Sequence, residues 1–93
     1  MPTAREDRSD FAAMFRGNPG VESQDKKEWT LQVGSQAVSV TWRKTSPTSA
    51  LLRVAVGKEI KLASVRSGDV SQIFSHTEIN DLRAIFFWLK GLK

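Results

Sequence analysis

The 93-residue chain contains no cysteine, which excludes disulfides and thiolate metal centres and leaves the redox compartment unread. No apolar run approaches the ~18 residues of a membrane span, and the first residues lack the apolar stretch of a signal peptide, so a soluble intracellular protein is expected. Histidine occurs once, at His76, with no cysteine and no carboxylate partner set by a motif. The H-x-x-x-H, E-x-x-H, G-x-S-x-G and phosphate-loop patterns are missing. Beyond residue 28 the only acids are Glu59, Asp69, Glu78 and Asp81, and their dispersal argues against paired-carboxylate catalysis and oxygen-ligand metal binding. The expectation is a non-enzyme with no cofactor and no metal. Internal repeats and low-complexity tracts are lacking as well.

What is present suffices for one small core. The net charge of +4 is unevenly placed: residues 1–28 carry five basic side chains against six acidic, and residues 29–93 carry nine against four. The basic part is also the part with a folding pattern. Such an excess either attracts polyanions at long range or serves solubility alone.

Residues 1–28 are mixed in charge and read as a mostly flexible N-terminal segment, broken by Gly17, Asn18, Pro19 and Gly20. Before the break, Ser9 is placed to cap a helical turn carrying Phe11, Met14 and Phe15 on one side. These apolar groups either dock a partner or fold back on a domain formed by residues 29–93.

From Trp29 the chain alternates as half-buried strands do. Trp29, Leu31 and Val33 face one way, Gly34-Ser35 fits a two-residue type II′ turn, and Ala37 to Lys44 returns with Val38, Val40 and Trp42 inward. Thr45 to Ser49 is a turn cluster around Pro47. Ala50 to Val56 is a third strand, with Leu52, Val54 and Val56 inward and Leu51, Arg53 and Ala55 outward. After a second II′-type turn at Gly57-Lys58, Glu59 to Arg66 is read with Ile60 and Leu62 inward and Glu59 and Lys61 outward. Val70 to Phe74 is either a short fifth strand or an extended lead.

Ser75 to Lys93 reads as a helix opened by the S-x-x-E capping box of Ser75 and Glu78, with His76 in its first turn. Ile79, Leu82, Ile85, Phe86, Leu89 and Leu92 share one face. The predicted fold is α+β: an antiparallel meander of four to five strands followed by one C-terminal helix packed on one sheet face. Phe87 and Trp88 lie off the apolar stripe. They are exposed, covered by the N-terminal segment, or joined to symmetry mates in a homodimer.

The outward face then carries Thr30, Gln32, Ser39, Thr41, Arg43, Arg53 and Lys61, with Lys44, Lys58 and Arg66 at strand ends or loops. The six cations Arg43, Lys44, Arg53, Lys58, Lys61 and Arg66 are the predicted contacts to a nucleic-acid backbone. Trp29 and Trp42 are in phase with the core, so they pack under the helix, unless one lies at the sheet margin where a base can stack on it; no other aromatic points outward.

Leu31-Gln32-Val33-Gly34 followed by Ala37-Val38-Ser39-Val40-Thr41, and the helix entry Ile73 to Glu78, resemble the single-stranded-DNA-binding transcriptional coactivator family of the positive-cofactor-four type, to which Whirly proteins are structurally similar. The resemblance covers roughly residues 29–92. It implies four curved antiparallel strands, a C-terminal helix that dimerises, and single-stranded DNA on the sheet. Arg43, Lys44, Arg53 and Lys61 match the family's basic positions in part. Two functions follow: a small homodimeric binder of single-stranded DNA or RNA with low sequence specificity, or a protein-interaction module. The second, an adaptor or inhibitor, docks through its sheet edge, the Phe11–Phe15 segment or the aromatic helix end.

Overall fold

Two glycines set the frame of the sheet. Gly34 and Gly57 have φ of 60° and 58°, and among the described residues no other residue type has positive φ. Glycine at the first central position with a negative φ at the second is the type II′ pattern, which matches the right-handed twist of the flanking strands. The pairs Val33↔Gln36 and Val56↔Glu59 close these turns.

The computed structural model describes residues 4–15 and 19–92, with the backbone alone for 4–7 and 19–22. Gly17 and Asn18 of the expected break, and Lys93, lie outside the described residues. The chain runs α1 (Ala4–Ala13), β1 (Pro19–Glu22), β2 (Lys26–Val33), β3 (Gln36–Ser46), β4 (Ser49–Val56), β5 (Glu59–Val65) and α2 (Ile79–Lys90). The strands form one antiparallel sheet in the order β1-β2-β3-β4-β5. An antiparallel meander followed by a C-terminal helix is the α+β arrangement predicted. Its fifth strand, however, is β1, ahead of the others rather than at Val70 to Phe74.

Val70–Gln72 is instead a single 3-10 turn. The Asp69 carboxylate accepts the N–H of Ser71 at 2.9 Å and its hydroxyl at 2.8 Å, a local bond that competes with strand pairing. Just before it, Gly68 is pressed against the β3–β4 hairpin. A Cβ there would lie 2.6 Å from the carbonyl oxygens of Ser46 and Pro47, so no side chain fits.

The capping box does not form. Helix α2 starts at Ile79, Glu78 makes no side-chain cap, and the Ser75 hydroxyl donates to the Gln72 carbonyl. The reason is tertiary pairing. Arg66 N–H donates to His76 O at 2.8 Å, Glu78 N–H donates to Ser64 O at 2.7 Å, and Val65 bridges Thr77. Residues 77 and 78 therefore lie beside the end of β5, and His76, in a turn with its N–H donated to Gln72 O, stays ahead of the helix. Asp81 in the first turn of α2 accepts Ser64 N–H, while Glu78 forms an ion pair with Arg66.

The inner sheet face contributes Trp29, Leu31, Val38, Val40, Trp42, Leu52, Val54, Ala63 and Val65 to the core, against Leu82, Ile85, Phe86 and Leu89 of α2. Both tryptophans are buried, as their phase predicts. The N-terminal segment joins this core. Phe11 is 0% exposed and Phe15 5%. Phe11 meets Phe15, Phe74 and Phe86 edge-on at 5.1–6.2 Å between centroids, and Phe15 stacks on Phe74 at 4.8 Å. Arg8 adds a polar tie, its guanidinium donating to the carbonyls of Phe74 and Thr77. Residues 8–15 are thus packed on the domain, and Lys26 to Glu28 belong to β2.

Two outcomes follow from this packing. Phe11→Ala is expected to lower the unfolding free energy by about 3–5 kcal/mol in urea denaturation, whereas a loose leader would leave it unchanged. Asp69 is held below its ordinary carboxyl value of 3.8, first by the Ser71 N–H, then by its hydroxyl, with Lys44 adding a smaller pull. A depressed folded value means stabilisation is present above that ordinary value and lost as pH falls through the folded one. Asp69→Asn should therefore flatten the decline in stability below about pH 4, read from urea curves at stepped pH.

Candidate nucleic-acid interface

The outer sheet face is laid out by the cross-strand register. Lys26, Arg43, Leu51 and Ser64 form one row across β2–β5; Glu28, Thr41, Arg53 and Leu62 form the next; Thr30, Ser39, Ala55 and Ile60 form a third. Directly opposed residues share a face, so each row is a line of neighbouring side chains. Lys26, Glu28, Thr41, Arg43, Leu51 and Arg53 line an open concavity of about 300 Å³. Arg43 and Arg53 are exposed, and Lys26 forms a 2.8 Å ion pair with Glu28.

Of the six predicted cations, the register brings Arg43 and Arg53 together and separates the rest. Lys61 faces the helix side, since it pairs with buried Val54. Ile60 and Leu62, expected inward, are 49% and 53% exposed on the outer face. The cause is the Gly57-Lys58 turn. A two-residue turn makes Val56 and Glu59 share a face, so 59, 61, 63 and 65 inherit the inward phase of β4. Ala63 and Val65 are accordingly buried. Lys44 is also in the inward phase of β3, half-buried near Asp69. Lys58 occupies the turn itself, and Arg66 lies past β5, 2.8 Å from Glu78.

Glu59 and Lys61 are not wasted on the helix side. The Trp88 indole N–H donates to the Glu59 carboxylate at 3.2 Å, and the Lys61 ammonium sits 5.3 Å from the Trp88 ring centre. A cation over an indole face is worth about 0.5–1 kcal/mol at an exposed site. Trp88, expected at a dimer interface with Phe87, is thus engaged within its own chain, whereas Phe87 is 59% exposed.

Lys26, Glu28 and Leu51 complete the outer face and were not among the predicted contacts. The period-two alternation that starts at Trp29 extends back through Glu28 to Lys26, which is the signal that points to them. A larger concavity, about 500 Å³, lies elsewhere, lined by Arg8, Ser9, Ala12, Ser71, Phe74 and Ser75. Among the described residues the one charged side chain lining it is Arg8, which already holds two carbonyls. Among the described residues no helix is long and apolar enough to cross a membrane.

Because Arg43 and Arg53 are exposed, Arg43→Ala and Arg53→Ala should each change stability by no more than about 0.5 kcal/mol in thermal or urea unfolding. A larger loss would assign them a structural role. Comparison with protein-family models, with curated sequences and with solved structures returns no match.

Proposed function

We propose that the protein is a small non-enzymatic module that takes single-stranded DNA or RNA on the outer face of its sheet. The observation that carries this reading is the grouping of Arg43, Arg53 and Lys26 with Thr41 around one open concavity. Guanidinium and ammonium groups neutralise phosphates, and a hydroxyl within the same row can bond sugar or phosphate oxygens. Thr30 and Ser39 extend the hydroxyl-bearing surface along the neighbouring row. The charge excess of residues 29–93 supports the same ligand class through long-range attraction.

With aliphatic rather than aromatic side chains at Leu51, Leu62 and Ile60, base stacking contributes little, and affinity is dominated by the backbone. The family resemblance of the first hairpin agrees with this reading. That of the helix entry does not, because Ser75 and Glu78 do not cap α2. The exposed Ile60, Leu62 and Phe87 favour the second reading, a protein partner on the apolar margin.

A salt titration separates the two. With Lys26 already paired to Glu28, Arg43 and Arg53 predict a log–log slope of affinity against salt of about −1.4 for a labelled single strand. Arg43→Glu/Arg53→Glu should abolish binding, and Lys58→Ala/Arg66→Ala should leave the slope unchanged. Absence of binding to single or double strands at low salt overturns the proposal in favour of the protein partner.

A further inference from the structure

The edge of β5 is half covered, and the boundary is sharp. Successive residues of a strand direct their N–H and C=O groups alternately to opposite neighbours. Arg66 and Ser64 direct theirs away from β4, to His76, Glu78 and the Asp81 carboxylate. By the same alternation Leu62 and Ile60 direct theirs away from β4, and among the described residues nothing bonds them. This open part of the edge carries exposed Ile60 and Leu62 on one face and exposed Glu59 and Lys61 on the other. It has no proline, no bulge and no net charge from residue 59 to 63 to discourage another strand.

The geometry points to a second copy of this chain as the occupant of that edge, paired β5 to β5 in antiparallel register about a two-fold axis at Ile60. Charge complementarity selects both partner and register. With the axis at Ile60, Glu59 of each copy lies opposite Lys61 of the other, making two opposed ion pairs beside the Trp88 rings. With the axis one residue on, Lys61 faces Lys61, and like charges directly opposite are unfavourable. The Glu59 carboxylate accepts one bond from Trp88 and retains capacity for a second partner. In the selected register Ile60 meets its symmetry mate as a hydrogen-bonded pair, and Leu62 lies opposite Lys58, whose alkyl stem covers it. The segment 76–78 stops pairing from spreading past residue 63.

The consequence goes beyond the sheet-face reading. An axis perpendicular to the sheet leaves both outer faces on the same side, so the five-stranded sheet is doubled and two Arg43/Arg53 groups share one surface. The contact is isologous and closed, which makes a dimer and not a fibre.

Sedimentation equilibrium of the full chain without nucleic acid tests the contact independently of what the outer face binds. Mass should rise from monomer to dimer between about 1 and 500 µM. Leu62→Pro removes an N–H that points away from β4, so the fold survives while the edge is blocked. It should weaken association at least about tenfold, as should Lys61→Glu, with circular dichroism verifying the fold. Glu59→Lys/Lys61→Glu restores opposed charges in this register alone and should recover the dimer. Since the chain has no cysteine, Ile60→Cys should link to its mate through a short bis-maleimide, with Cα atoms about 5.5 Å apart. Phe87→Ala should leave the mass unchanged. A monomer at every concentration overturns the proposal. So does a dimer that Phe87→Ala breaks and Leu62→Pro spares, or one that the charge reversal fails to restore.

Discussion

A two-residue hairpin turn leaves the chain no choice of face. The residues that flank it are directly opposed, so the strand after the turn continues the inward phase of the strand before it. At Gly34-Ser35 this rule agrees with hydrophobicity, and Val38, Val40 and Trp42 return beneath the same surface as Trp29 and Leu31. At Gly57-Lys58 the two conflict, and the turn prevails. Glu59 and Lys61 go to the helix side, while Ile60 and Leu62 go to water. The last turns of α2 accommodate the result, because Trp88 offers an indole N–H to the acid and a ring face to the base. An amphipathic side chain is what such a mixed site requires.

The second organising feature is aromatic. Between α2 and the start of β2 the sheet leaves a gap that Phe74 alone does not fill. Phe11 and Phe15, four residues apart across the end of α1, close it against Phe86 and Trp29. Arg8, one turn before Phe11, satisfies two carbonyls of the irregular segment that leads into α2. The N-terminal helix therefore fastens the least regular stretch of the chain, and that stretch in turn pairs with the end of β5. Packing, local hydrogen bonding and edge protection converge on residues 73 to 78.

Most of the architecture was legible in the residues because period-two alternation and the glycine turns are short-range signals. The strand phases from Trp29 to Val56 and the buried stripe of α2 follow from spacing alone. The phase of β5 was also available, since Val56 inward and a two-residue turn together require Glu59 inward; hydrophobicity masked it. The helix start was not available. Ser75 and Glu78 have the spacing of a capping box, and only the position of β5 decides that residues 76–78 pair with it instead. Helix α1 was legible in part: the spacing of Phe11, Met14 and Phe15 marks a helical turn, but whether its rings dock a partner or fold back depends on Phe74 and Phe86, which are distant in sequence. For the outer face, Arg43 and Arg53 were legible from alternation. Lys61 was not, because the register after the Gly57-Lys58 turn sets its face; Lys44 and Arg66 stand near strand ends as expected, but away from Arg43 and Arg53.

The structure turns the Lys61 side of β5 to the helix, and a nuclear Overhauser spectrum of the folded chain reads this directly. That orientation predicts cross-peaks from the Trp88 indole ring to the Lys61 side chain, and none to the Leu62 methyl groups. Cross-peaks from Trp88 to the methyl groups of Leu62 or Ile60, with Lys61 silent, would contradict it.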